Sequence, residues 1–167
     1  MKAVADVMTR GVRSMAPGDT LVKAAQAMEE LNVGAIPVCD GDRLVGMVTD
    51  RDIVVRCVAQ ELDAKSCKLA DIMSGHVRTV RENDDVNEVL SEMAAAQIRR
   101  MPVVDPQDHL VGIVTLGDIA AKNPEAQDDV AHSLGDISSP AEPDRSHQSQ
   151  ASGVQGGGAS RTQGQTG

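Results

Sequence analysis

Gly46-Met47-Val48-Thr49-Asp50-Arg51-Asp52 and Gly112-Ile113-Val114-Thr115-Leu116-Gly117-Asp118 follow one pattern: glycine, two apolar residues, threonine, two variable residues, aspartate. Each copy ends an apolar run and opens an amphipathic segment. Each therefore reads as the end of a buried strand running into the first turn of a helix.

The repeat extends well beyond these turns. Displaced by 65 residues, the sequence lays Ala5-Asp6-Val7-Met8 on Ala70-Asp71-Ile72-Met73, Asp19 on Asp84, Met28 on Met93 and Pro37-Val38 on Pro102-Val103. After Asp40 and Asp105 the displacement becomes 66, because the second copy has one more turn residue. Leu44-Val45-Gly46 then falls on Leu110-Val111-Gly112. An insertion at a surface turn costs little, so the chain reads as a tandem duplication.

Each copy predicts the same elements. A short helical turn (residues 4–8 and 69–73) precedes an extended piece (12–15 and 77–80). Pro17-Gly18-Asp19-Thr20 and Glu82-Asn83-Asp84-Asp85 supply turn and N-cap chemistry, Asp85 with Glu88 resembling a capping box. Leu21, Ala24, Ala25, Met28 and Leu31, and again Val86, Val89, Leu90 and Met93, make the apolar stripe of a helix with one buried face. Two short Val-rich runs follow, split by Asp40-Gly41-Asp42-Arg43 or by Asp105-Pro106-Gln107-Asp108-His109, as in a β-hairpin. A second helix closes each copy, near residues 50–59 and 117–122. The expected fold class is α/β: tandem β-α-β-β-α repeats packed as a pseudo-two-fold pair, since one copy buries too little surface alone. The expected division is repeat 1 over residues 1–60, a connector over 61–68 and repeat 2 over 69–122. A short helical extension follows over 123–137, starting near 124–134 with Asn123 as cap and Pro124 at the first helical position. Residues 138–167, poor in bulky apolar side chains, are expected to be a disordered tail.

Composition narrows the function. Among 167 residues 41% are hydrophobic, but there is no Phe, Tyr or Trp, so the core is aliphatic and base-stacking platforms are missing. A net charge of -9 has the wrong sign for a phosphate-backbone footprint, so no nucleic-acid partner is expected. Cys39, Cys57 and Cys67 lack metal-ligand spacing; they read as reduced thiols, with a Cys57–Cys67 bridge as the alternative. His76, His109, His132 and His147 are scattered, so no metal is expected. No apolar leader or membrane span is visible, and a soluble cytoplasmic protein is the expectation.

The Thr-x-x-Asp turns admit two readings. In one, Thr49 and Thr115 are N-caps, and Asp52 and Asp118 complete capping boxes. In the other, the helix start presents N–H donors to a phosphate, threonine adds a hydroxyl, and aspartate accepts from the vicinal hydroxyls of a ribose. Gly46 and Gly112 would then let the ligand approach the strand backbone. Arg51, unfavourable in a first helical turn, calls for a partner, either phosphate or Asp50. Neither reading needs a nucleophile–base pair or Walker-type loop, and none is seen, so no enzyme is expected.

Taken in order, Ala-Asp-Val/Ile-Met, the Ile/Met-Pro-Val strand and the Gly-h-h-Thr-x-x-Asp turn resemble a pair of cystathionine β-synthase (CBS) domains, or Bateman module. Residues 49–54, Thr-Asp-Arg-Asp-Ile-Val, are further similar to the small stand-alone two-CBS proteins of actinobacteria, the hypoxic response protein type. The resemblance implies a regulatory sensor module, a homodimer, an unknown target protein, and AMP, ADP, ATP or S-adenosylmethionine as regulatory ligand in two composite clefts. One cleft would use Thr115 and Asp118, with Met8 and Val33, Gly34 and Ala35 lining the base and Arg100 toward phosphate. The other would use Thr49 and Asp52, with Met73, Ile98 and Arg99 lining the base, and Arg51 lies inside its Thr-x-x-Asp as a further candidate contact. Arg100 makes the Thr115/Asp118 cleft the better expected site. The alternative is a structural or protein-interaction member of the same fold without nucleotide.

Overall fold

The computed structural model describes residues 2–138. In chain order they form α1 (Val4–Val7), β1 (Thr9–Arg10), α2 (Leu21–Leu31), β2 (Ala35–Asp40), β3 (Arg43–Thr49) and α3 (Asp50–Ile53). The second copy gives α4 (Leu69–Ile72), α5 (Val86–Ala96), β4 (Arg100–Val104), β5 (Leu110–Thr115) and α6 (Leu116–Lys122), followed by α7 (Gln127–Ser138). The expected α/β duplication is present.

Caps set the long helices. Thr20, in extended backbone, accepts from the Lys23 N–H, and Asn32 ends α2 in the left-handed region at φ 52°. Asp85 accepts from the Asn87 and Glu88 N–H groups at 2.8 and 3.4 Å to start α5. The reciprocal half of the expected box does not form, and Glu88 stays exposed. The stripe of α5 is buried as expected. That of α2 needs correction: Leu21, Ala24, Ala27 and Met28 are buried, whereas Ala25 and Leu31 are exposed. Ala25 lies 100° around from Ala24, and Leu31 sits in the last turn, where the chain leaves the core.

Both hairpins form. Ala35 faces Thr49 at the open end of β2–β3, and Arg100 faces Thr115 at the open end of β4–β5. The extended pieces expected at 12–15 and 77–80 shrink to single parallel bridges, Met15 with Val38 and Val80 with Val103. The helix expected over 50–59 is α3 continued by a π-helical turn, Val54–Val58, in which the Ala59 N–H reaches the Val54 carbonyl. Asn123 makes no side-chain cap; Pro124–Ala126 is a 3-10 turn, and α7 then runs to Ser138. The rest of the expected tail lies outside the described residues.

The two copies exchange their first helices. One core holds Leu21, Ala24, Met28, Ile36, Val38 and Val48 together with Leu69 and Ile72 of α4. The other holds Val86, Val89, Met93, Met101, Val114 and Ile119 together with Val4, Val7 and Met8. Backbone bonds repeat the exchange: Val4 N–H to Asp84 O and Val86 N–H to Lys2 O on one side, Leu69 N–H to Asp19 O and Leu21 N–H to Cys67 O on the other. The hairpins touch at their turns through Leu44 N–H to Asp108 O and Leu110 N–H to Asp42 O. Equivalent residues exchange equivalent bonds there, as a pseudo-two-fold axis requires.

Candidate functional site

Both Thr-x-x-Asp turns are complete capping boxes. Thr49 Oγ1 accepts from the Asp52 N–H at 3.0 Å, and Asp52 Oδ2 accepts from the Thr49 N–H at 3.0 Å. Thr115 and Asp118 repeat both bonds at 3.0 Å, and the Thr115 hydroxyl also donates to Asp118 Oδ2 at 2.8 Å. The carboxylates differ in their second oxygen. Asp118 Oδ1 accepts from the Thr9 hydroxyl at 3.4 Å, while Asp52 Oδ1 faces the Arg56 guanidinium at 3.7 Å.

Each turn is completed by the main chain of the other repeat. Thr9 pairs with Ile113 and Arg10 with Gly112, and Ser74 exchanges backbone bonds with Met47 at 2.9 and 3.1 Å. A Cβ on Gly112 would stand 2.6 Å from the Thr9 carbonyl oxygen, and one on Gly46 2.8 Å from Met73 Sδ and 2.9 Å from the Ser74 carbonyl oxygen. This corrects the expectation for the two glycines: the space they leave is filled by the crossing chain, not held open for a ligand.

Two basic residues that sequence reasoning missed hold the crossings. Arg56 donates to Ile72 O at 2.9 Å, and its equivalent Lys122 to Val7 O at 2.8 Å. Each cation caps the last carbonyls of the exchanged helix, where the dipole favours positive charge. The legible signal was a basic residue four positions after the aspartate in both copies.

The expected lining residues are redistributed. Met8 lies against Gly112 and Met73 against Gly46, so these two cross as expected. Val33, Gly34 and Ala35 do not join the Thr115/Asp118 turn: Gly34 O accepts from the Asp50 N–H at 3.0 Å and Ala35 pairs with Thr49. Likewise Arg99 O accepts from the Leu116 N–H at 3.0 Å and Arg100 pairs with Thr115, which places both beside the second turn. Hairpin register is the cause, because it sets the first residue of a hairpin opposite its last. Ile98 packs on the second core, and the Arg99 guanidinium donates to Ser138 Oγ at 3.2 Å. Arg51 and Arg100 are exposed, and their guanidinium groups have no partner among the described residues. The Asp50 pairing considered for Arg51 is absent; Asp50 Oδ1 accepts instead from the Arg51 backbone N–H at 2.8 Å.

The two crossings are unequal. β1 makes two ladder pairs with β5, whereas Ser74 forms one isolated bridge with Met47. Beside that looser crossing lies a groove of about 180 Å³ lined by Gly46, Gly75, Val77 and Thr79 among others. A larger depression of about 670 Å³, lined by Lys2, Asn87, Asn123 and Glu125 among others, includes none of the turn residues. All three cysteines are free. Burial, the Asp71 carboxylate and neighbouring Cys57 raise the pKa of the Cys67 thiol, which favours its protonated form. Among the described residues no three His, Cys, Asp or Glu side chains converge on a common point, and no helix is long and apolar enough to cross a membrane.

Duplicated hairpins, exchanged first helices and paired Thr-x-x-Asp turns define an α/β two-repeat module. The CBS domain model matches residues 4–58 and 69–124, and the chain belongs to the CBS domain family. Hypoxic response protein 1 of Mycobacterium tuberculosis is 41% identical over 126 residues, 75% of this chain and 87% of that protein. A crystal structure of Hypoxic Response Protein I with two coordinated zinc ions superposes with a TM-score of 0.67, covering 72% of this chain and 98% of that one. A CBS domain pair crystallised with 5'-methylthioadenosine and S-adenosyl-L-methionine is 29% identical with a TM-score of 0.64, covering 72% of this chain and 94% of that one.

Proposed function

We propose that this chain is a non-enzymatic regulatory module, working in the cytoplasm, that takes an adenosine-containing nucleotide in its inter-repeat clefts. One observation carries the reading: each Thr-x-x-Asp helix start is met by backbone of the other repeat, so a ligand there touches both halves at once. The adenosine ligands held by a CBS pair of similar fold support the choice of chemistry. The Thr49/Asp52 cleft is favoured, which reverses the ranking drawn from Arg100. Its crossing is looser, the Arg51 guanidinium has no partner among the described residues, and Asp52 carries fewer internal donors than Asp118. A ribose hydroxyl would donate to Asp52, and Arg51 would meet phosphate.

A second reading has an observation of its own. The threonine and aspartate side chains of both turns are engaged in capping boxes, which suits a structural or protein-docking member of the family. A melting panel separates the two. A ligand that binds the folded state at a hundred times its Kd adds about 2.7 kcal/mol, a shift of several degrees in Tm. With AMP, ADP, ATP and S-adenosylmethionine at millimolar concentration, at least one is expected to raise the Tm, and Asp52→Ala to remove the rise. Four unchanged curves would leave the second reading standing.

A further inference from the structure

Two depressions meet along the seam where α7 packs on α5. The larger, of about 670 Å³, shares Asn87 and Asp129 with a second of about 380 Å³ that Leu90, Ser133 and Asp136 help to line, so the two form one groove. Residues 123–138 carry four acids, Glu125, Asp128, Asp129 and Asp136, and no Lys or Arg. Three of the four line the groove. Glu125 lies in the 3-10 turn, and Asp129 and Asp136 lie two turns apart on one face of α7. The Glu125 and Asp129 carboxylates have no partner among the described residues, and Asp136 faces His132 at 3.9 Å. Lys2 also lines the larger depression, but its ammonium is held by the Lys122 carbonyl oxygen.

A row of acids on a helix is ordinarily a solvated face. Here two buried polar side chains open into the same groove: Asn123 is 8% exposed and Ser133 6%. Neither side chain has a hydrogen-bond partner among the described residues, yet neither polar end is sealed from solvent. A buried amide or hydroxyl left unpaired costs free energy, so both call for a partner from solution. We propose that this groove binds a linear polyamine. Among the described residues the acids are strung along α7 and do not converge on a point, which selects an extended cation over a compact metal ion. Ammonium groups three or four methylenes apart repeat at about one helical turn, ~5.4 Å. Successive groups therefore meet Glu125, Asp129 and, two turns on, Asp136. Asn123 Oδ1 and Ser133 Oγ accept the remaining N–H donors, and the methylenes lie against Ala126 and Leu90. No Thr-x-x-Asp residue lines the groove, so this site is separate from the nucleotide clefts.

Isothermal titration of the full chain with spermidine tests this, without nucleotide and at physiological ionic strength, where loose surface attraction is screened. The expected result is saturable one-to-one binding that magnesium at equal charge does not displace. Asp129→Asn, at a residue both depressions share, should lower the affinity about tenfold or more, the weight of one hydrogen bond to a charged group. Glu125→Gln gives the same reading should that variant fold poorly. Asn123→Ala should weaken binding while leaving the melting curve of the free protein unchanged, which a merely structural amide would not do. Glu29→Gln, which removes an exposed acid on α2 outside the groove, should leave the affinity as it is. Absence of spermidine binding, displacement by magnesium, or an equal loss with Glu29→Gln would overturn the proposal. So would folded Asp129→Asn and Asn123→Ala chains that bind as the wild type does. Because nucleotide is omitted, failure here leaves the nucleotide reading untouched.

Discussion

Removing residues 2–8 is expected to destroy the second repeat's core while the lost residues belong, by sequence, to the first. Val4 and Val7 are fully buried and Met8 nearly so, all three among side chains of α5, β4, β5 and α6. Burying each contributes about 1.5–3 kcal/mol. Their loss also frees the Lys122 ammonium from the Val7 carbonyl and leaves the Val86 N–H without the Lys2 carbonyl. The total is comparable with a whole domain's stability of about 5–15 kcal/mol. Hydrogen exchange followed by mass spectrometry should show protection lost first over residues 86–119, with residues 21–48 better protected. Losses confined to the first repeat would contradict the exchange of helices.

Among the described glycines, Gly112 is where an added methyl should do most damage. Its Cβ would stand 2.6 Å from the Thr9 carbonyl oxygen, a main-chain atom held by the β1–β5 ladder. The strand must separate or shift, and overpacking of this kind typically costs about 1–3 kcal/mol. Gly46→Ala should cost less, because the main-chain atom it meets, the Ser74 carbonyl oxygen, stands farther off at 2.9 Å and the crossing there is one isolated bridge. Gly117→Ala is the control. Its Cβ would meet nothing closer than 3.6 Å, and alanine is favoured over glycine in a helix, by at most about 1 kcal/mol at this first-turn position. Thermal melts should rank Tm as Gly117→Ala highest, then wild type, Gly46→Ala and Gly112→Ala. A Gly112→Ala chain as stable as wild type would refute the close crossing.

The fold was legible where local chemistry decides it. The Asp/Gly turns and the caps at Thr20, Thr49, Asp85 and Thr115 act within a few positions of themselves, and each appears in the structure near its expected place, whereas Asn123 makes no side-chain cap. The partner of an element was not legible. The apolar positions of residues 4–8 announce burial, but hydrophobic burial is non-directional and does not say which core receives them. For the same reason Gly46 and Gly112 pointed to a close approach, but what approaches is the crossing chain and not the expected ligand. The turn residues Thr49, Asp52, Thr115 and Asp118 were readable as helix starts because the capping box is a four-residue device. The placement of Val33, Gly34 and Ala35 was missed because it follows from hairpin register, and that register puts them beside their own repeat's turn. Arg56 and Lys122 went unnoticed because their carbonyl partners lie in the other copy.

The most direct test of the regulatory reading is a calorimetric titration of the full chain with ATP, ADP and AMP, alongside Asp52→Ala and Asp118→Ala variants shown by circular dichroism to be folded. The account predicts saturable binding of at least one nucleotide, abolished by Asp52→Ala and largely kept by Asp118→Ala. Absence of binding by all three, or binding undiminished when both aspartates are replaced, would contradict it.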